Sequence, residues 1–145
     1  MSDKCIEVNN IVSFKEGIVV GNVIKVPEIS FLGDVDRNTG MIISNDMPSY
    51  RGASIANKIL VVRRFRGSTV GTYVLYALCK RGLAPKAILM SRPDPVVIGG
   101  IILCDIYGAS NIPEHIFYKL SNNAIVSIHF TTNSLKICTS EANIG

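Results

Sequence analysis

Lys58-Ile59-Leu60-Val61-Val62-Arg63-Arg64-Phe65-Arg66-Gly67-Ser68-Thr69-Val70-Gly71-Thr72-Tyr73 is the stretch on which the fold turns. From Ile59 to Val62 it is unbroken and aliphatic, which predicts a strand buried on both faces. Three arginines and a glycine then interrupt it. From Val70 the apolar residues Val70, Val74, Ala77 and Leu78 fall at helical spacing. Gly82, after Lys80 and Arg81, is placed as a helix stop. Arg66-Gly67-Ser68 therefore occupies the turn from a buried strand into a helix, where free backbone N–H groups and the positive end of the helix dipole point outward. With Arg63, Arg64 and Arg66 beside it, this turn is expected to stabilise an anion or a developing oxyanion.

The remaining chain supports an α/β reading. Its 145 residues suffice for one domain with a sizeable core, and 48% hydrophobic against 18% charged residues describes a globular chain. We expect a single unit over residues 1–145. Residues 16–26 (EGIVVGNVIKV) predict a bent or bulged strand ended by Pro27, followed by a short strand over 29–32. Asp34, Asp36 and Asn38 have the spacing of the first ligands of a calcium loop. The glycine is displaced to Gly40, however, and Asn45 replaces the closing glutamate, so a hairpin turn is expected.

Beyond the central strand and helix, residues 86–90 read as a strand. Asp94 and Pro95 form a helix start, and a helix to about Tyr107, apolar nearly all round, is expected to be well buried and capped by Gly108. Residues 111–113 read as a short strand, 114–120 as a helical turn, and 124–130 with 135–138 as an antiparallel pair. The sum is a barrel-like set of strands with a βαβα core.

Composition narrows function less. The formal charge of +4 and pI of about 9.0 suit nucleic acid, an anionic small molecule or an acidic partner; the arginine cluster beside a glycine turn favours a specific anion site. Aromatic residues are not interleaved with the arginines as in a single-strand binder, and nucleic acid is not expected. The best membrane candidate, residues 95–103, is far below the roughly 20 residues of a span, so no membrane association is expected. The N-terminus lacks a signal-peptide pattern, which predicts a cytoplasmic protein. Cys5, Cys79, Cys104 and Cys138 show no metal-ligand spacing and are expected to be reduced and structural, so no metal site is expected in this chain.

Ser68 is not in a G-x-S-x-G elbow, and the turn is not a P-loop. Local chemistry alone accounts for Ser68 as a helix N-cap, and for the arginines as a solvated strand end. Neither role needs catalysis.

Six collinear pieces carry a resemblance. They are Ile29-Ser30-Phe31-Leu32-Gly33-Asp34-Val35-Asp36-Arg37-Asn38-Thr39-Gly40, Arg51-Gly52-Ala53-Ser54, Arg66-Gly67-Ser68, Leu83-Ala84-Pro85-Lys86-Ala87-Ile88, Asp94-Pro95 and Tyr107-Gly108. In this order the chain resembles the small subunit of aconitase X, of the archaeal phosphomevalonate dehydratase type. It departs from that pattern at Leu32, where a tryptophan is usual, at Asp34, where a second glycine is usual, and in the bulk of Arg64 and Phe65.

The resemblance implies a swivelling β/β/α domain like the mobile last domain of aconitase. It also implies a large aconitase X subunit as partner, holding a [4Fe–4S] cluster. The catalytic base then matches Ser68, with Arg66 and Gly67 as substrate-binding residues and (R)-5-phosphomevalonate as the anionic substrate. Two alternatives stay open: a subunit of a cis-3-hydroxyproline dehydratase, or a non-catalytic binding module in which Ser68 is only a cap.

Overall fold

The computed structural model describes residues 3–67 and 69–140, with the side chains of Asp3 and Ser140 left aside. Eight strands form one sheet in the order β1-β8-β7-β3-β4-β5-β6-β2. In chain order they are β1 (Asp3–Asn9), β2 (Val12–Ser13), β3 (Gly17–Ile29), β4 (Ile59–Phe65), β5 (Ala87–Met90), β6 (Tyr107–Ser110), β7 (Ile125–Phe130) and β8 (Ser134–Ser140). The helices are α1 (Phe31–Asp34), α2 (Gly71–Lys80), α3 (Pro95–Cys104) and α4 (Glu114–Lys119). Strands β3, β4, β5 and β6 are mutually parallel; β1, β8, β7 and the first half of β3 are antiparallel neighbours.

The sheet curls on itself. Ile11 and Ser13 donate backbone hydrogen bonds to Asn133 and Thr132, which draws the β2 edge to the β7–β8 turn. This is the barrel-like part of the expected fold.

The central strand is buried on both faces, as its composition requires. Ile59 and Val61 enter a core inside the curl, with Val23, Leu89, Ile128 and Phe130. Leu60 and Val62 enter a second core on the other face, against α1, α2, α3 and the loop after α1. Strand β4 continues through Arg63 and Arg64 to Phe65, three residues beyond its aliphatic run, because Phe65 still has an apolar partner in Phe31 at 5.4 Å.

Several sequence expectations are corrected. Strand β3 passes through Pro27 rather than ending there. Its ladder to β4 steps from Val26–Val62 to Glu28–Arg64, leaving Pro27 unpaired, so the missing N–H costs no bond. Residues 31–34 are a helical turn, not a strand: the Ser30 side chain accepts from the Gly33 N–H. Asp105 in the left-handed conformation (φ 54°) caps α3, while Gly108 lies within β6. Residues 111–113 are irregular; the strand is β6, just before them.

Strands β1 and β2 escaped the sequence reading, although Ile6 and Val8 alternate with polar residues. The hairpin expectation holds, since Val35 bridges Ile42 across the turn and Asp36 accepts from the Asn38 N–H.

The cysteines were expected to be reduced. They are instead joined as Cys5–Cys138, opposite one another on β1 and β8, and Cys79–Cys104, between α2 and α3. Sequence spacing could not show either pairing. Helix α3 is also less buried than its apolar composition predicts: Val97, Gly100 and Ile101 are covered, while Ile102 (63%) and Leu103 (56%) are exposed. No helix among the described residues is long and apolar enough to cross a membrane.

Helices α2 and α3 approach closely at Gly100. A β-carbon there would stand 2.8 Å from Leu75 Cδ2, and Leu75 is fully buried. Gly100→Val is therefore expected to cost about 2–3 kcal/mol by overpacking, read as a lower midpoint in urea unfolding.

Candidate active site

The turn after β4 lies at the carboxyl ends of the parallel strands, where open α/β sheets place their ligands. Its ends are fixed. At the entry, the Arg66 N–H donates to the Ile29 carbonyl at 2.9 Å. At the exit, Thr72 Oγ1 donates to the Val96 carbonyl at 2.6 Å, which ties the first turn of α2 to that of α3.

The helix begins at Gly71 and its N-cap is Val70, with no side-chain cap bond. Ser68 was expected at this turn as base or cap; it lies outside the described residues. The cap position, two residues farther on, is taken by Val70. Gly82 (φ 72°) stops α2 as expected: its N–H bonds to Cys79 and that of Leu83 to Leu78, a Schellman motif.

Arg66 is held in place by acids from two other elements. Its Nη2 lies 2.8 Å from Asp34 Oδ2 and its Nε 3.3 Å from Glu28 Oε2, while Glu28 Oε1 takes Arg64 Nη2 at 3.0 Å. Asp34 is the buried member, with 4% of its side chain exposed. The same Oδ2 accepts the Ser30 N–H at 2.8 Å, so one carboxylate fixes both the start of α1 and the guanidinium. Arg66 thus meets the site with two of its nitrogens already engaged. In the sequence Asp34 reads as part of a turn with the spacing of a calcium-loop ligand; a carboxylate on a four-residue helical turn gives no sign of a distant arginine partner.

Gly67 is exposed, and a β-carbon added there would meet nothing within 4 Å. The chain leaves that face of the turn open. A pocket of about 90 Å³ lies against it, lined by Ser30, Phe65, Arg66, Gly67, Thr69 and Asp94 among others. Asp94 itself is committed to α3, accepting the Val96 and Val97 N–H groups at 3.0 Å.

Arg66 also borders a larger open groove of about 670 Å³, together with Arg63, Arg64 and Arg92. Arg63 donates to the Tyr118 hydroxyl at 3.1 Å and faces Glu114 at 3.8 Å. His115 and His129 lie on α4 and β7, in neither cavity lining. The described residues hold no group of three or more His, Cys, Asp or Glu suited to a metal. The four cysteines are tied up pairwise on different elements. The donor set present does not fit an iron–sulfur cluster.

A family model for the aconitase X swivel domain matches residues 8–137. The chain belongs to that family. It is 37% identical over 113 residues to a phosphomevalonate dehydratase small subunit of Aeropyrum pernix, covering 78% of this chain and 80% of that one. It is 50% identical over 93 residues to the protein of the same name in Pyrococcus abyssi, covering 63% and 70%. Among solved structures it matches a chain of aconitase X from Thermococcus kodakaraensis (holo-form) with TM-score 0.75 and 34% identity, over 94% of this chain and 98% of that one. The swivel fold expected from the resemblance is thereby shown.

Asp34→Ala removes an acceptor from both Ser30 and Arg66 in a buried setting. It is expected to cost about 1–3 kcal/mol in thermal or urea unfolding. Glu28→Gln, at a half-exposed pair, is expected to cost less than about 1 kcal/mol.

Proposed function

We propose that this chain is the small subunit of a phosphomevalonate dehydratase, a hydro-lyase, and that Ser68 is the base it supplies. The named relatives support the activity, since they carry that name and align over most of this chain. They leave the cis-3-hydroxyproline alternative without support. One structural observation carries the catalytic part: residues 66–70 link the carboxyl end of β4 to the start of α2, with Arg66 fixed and Gly67 open beside it.

The substrate is (R)-5-phosphomevalonate and the product trans-anhydromevalonate 5-phosphate. The C–H bond next to the carboxylate breaks and its electron pair becomes the new double bond. The tertiary hydroxyl departs from the adjacent carbon, and the lost proton and hydroxyl together make water. Ser68, as its alkoxide, takes that proton and then yields it to the departing hydroxide, which leaves as water and restores the alkoxide. A serine hydroxyl is too weakly acidic to reach this state unaided. The N-terminal end of the ten-residue α2 offers the positive end of its dipole, and the Arg66 guanidinium lies two residues away. Arg66 and Gly67 also border the space the substrate carboxylate would enter.

A [4Fe–4S] cluster on the large subunit supplies, when bound, Lewis-acid assistance to the departing hydroxyl. We take residues 1–145 as one swivelling unit, acting with that subunit in the cytoplasm. Its part is to present the 66–70 turn to the substrate.

The test is anaerobic turnover of 5-phosphomevalonate by the reconstituted pair. Ser68→Ala is expected to lower kcat by about 10²–10⁴-fold while leaving co-elution with the large subunit unchanged. A loss of only about 1 kcal/mol in stability, with turnover intact, would assign Ser68 a purely local structural role and sink the base.

A further inference from the structure

We infer that Arg92 anchors the phosphate end of the substrate, an assignment that rests on the dehydratase reading above. The groove of about 670 Å³ is lined by Arg63, Arg64, Arg66 and Arg92. Three of these guanidinium groups already have side-chain partners, although the buried Arg63 Nε makes no hydrogen bond among the described residues. Arg64 and Arg66 are paired with Glu28, Arg66 also with Asp34, and Arg63 with Tyr118 and Glu114. Arg92 is exposed, and among the described residues no carboxylate lies within 4.0 Å of its guanidinium, the limit for an ion pair. Of the lining acids, Glu28 and Glu114 face the other arginines, and Asp46 adds one further negative charge.

The backbone of Arg92 is fixed, and its side chain has no ion-pair partner among the described residues. Its N–H donates to the Arg63 carbonyl at 3.1 Å, and the Ser91 N–H to the Val62 carbonyl at 3.1 Å. Pro93 follows, and Asp94 caps α3. Arg92 is therefore held beside β4 at the groove wall. Arg66 lines both this groove and the small pocket against Gly67 and Thr69, the one residue that the two linings share. The proposed substrate is anionic at both ends. With its reacting carbons at the 66–70 turn, its far end runs into the groove past Arg66, towards Arg92. A planar guanidinium suits a phosphate, which it can grip through two parallel N–H bonds.

The experiment uses the assembled complex and measures kcat and KM for 5-phosphomevalonate with Arg92→Gln, Arg92→Lys and the control Arg37→Gln. Arg37 is exposed on the hairpin after α1 and lines neither cavity, so its variant removes the same charge elsewhere. Arg92→Gln is expected to raise KM roughly tenfold or more with kcat little changed, as for one lost charge-assisted contact. Arg92→Lys should recover part of that loss, and Arg37→Gln should behave as the native complex. An unchanged KM in Arg92→Gln overturns the assignment, as does an equal rise in Arg37→Gln.

Absence of turnover in the native complex would instead sink the dehydratase reading. Calorimetry with inorganic phosphate then decides Arg92 by itself: binding lost in Arg92→Gln supports the anchor, and binding retained refutes it.

Discussion

The architecture depends on one constraint: β4 must be apolar on both sides and must then stop being so. Four residues, Ile59 to Val62, divide two cores between them by strict alternation, one inside the curled sheet and one under the helices. A strand in this position cannot carry a charge until it clears both layers. Arg63 and Arg64 appear where it leaves the inner core, while Phe65 beyond them still packs on Phe31, so the edge of the core and the edge of the site overlap. The position of the 66–70 turn follows from how far the hydrophobic layers extend.

At that boundary, charges are arranged in order of burial. Asp34 is nearly covered and serves two donors; Glu28 is half-exposed and shares itself between two arginines. The buried carboxylate is the stronger positioning element, because an unpaired partner there has no water to fall back on. The outer one mainly orients. The result is a pre-ordered entry to α2, with Arg66 reaching the open side of the turn by a fixed route. Such ordering suits a surface completed by a second protein, since less freedom remains to be lost on docking.

Much of this was legible in sequence, and what was not has a physical cause. The Ile59–Val62 run, the Gly82 stop, the Asp94–Pro95 helix start and the final hairpin are local signals, and each proved correct in kind. The buried face of α2 was only approximately read, because Gly71 and Leu75 pack where α3 comes within reach, a matter of tertiary approach. Pro27 misled because its neighbour strand leaves a place unpaired, which no propensity encodes. The cysteine pairs were invisible for the same reason: Cys5 and Cys138 meet only once β1 lies on β8. At the site, the arginine turn could be read, whereas its dependence on Asp34 and Glu28 could not. Those acids come from other elements, β3 and α1.

The Cys5–Cys138 bond spans 133 residues of separation, so it makes nearly the whole chain a covalent ring. Closing a loop of that size removes about 5 kcal/mol worth of freedom from the unfolded chain, on the entropic view. It also changes what a cut does. A protease that severs any single peptide bond between these cysteines opens the ring without releasing a fragment; the two new ends stay attached through the sheet edge. The 41–58 loop and the β7–β8 turn, both inside the ring, can therefore be nicked with the molecule remaining one covalent piece. In a chain this small, the circular connection keeps both halves of the sheet at the same address even after damage.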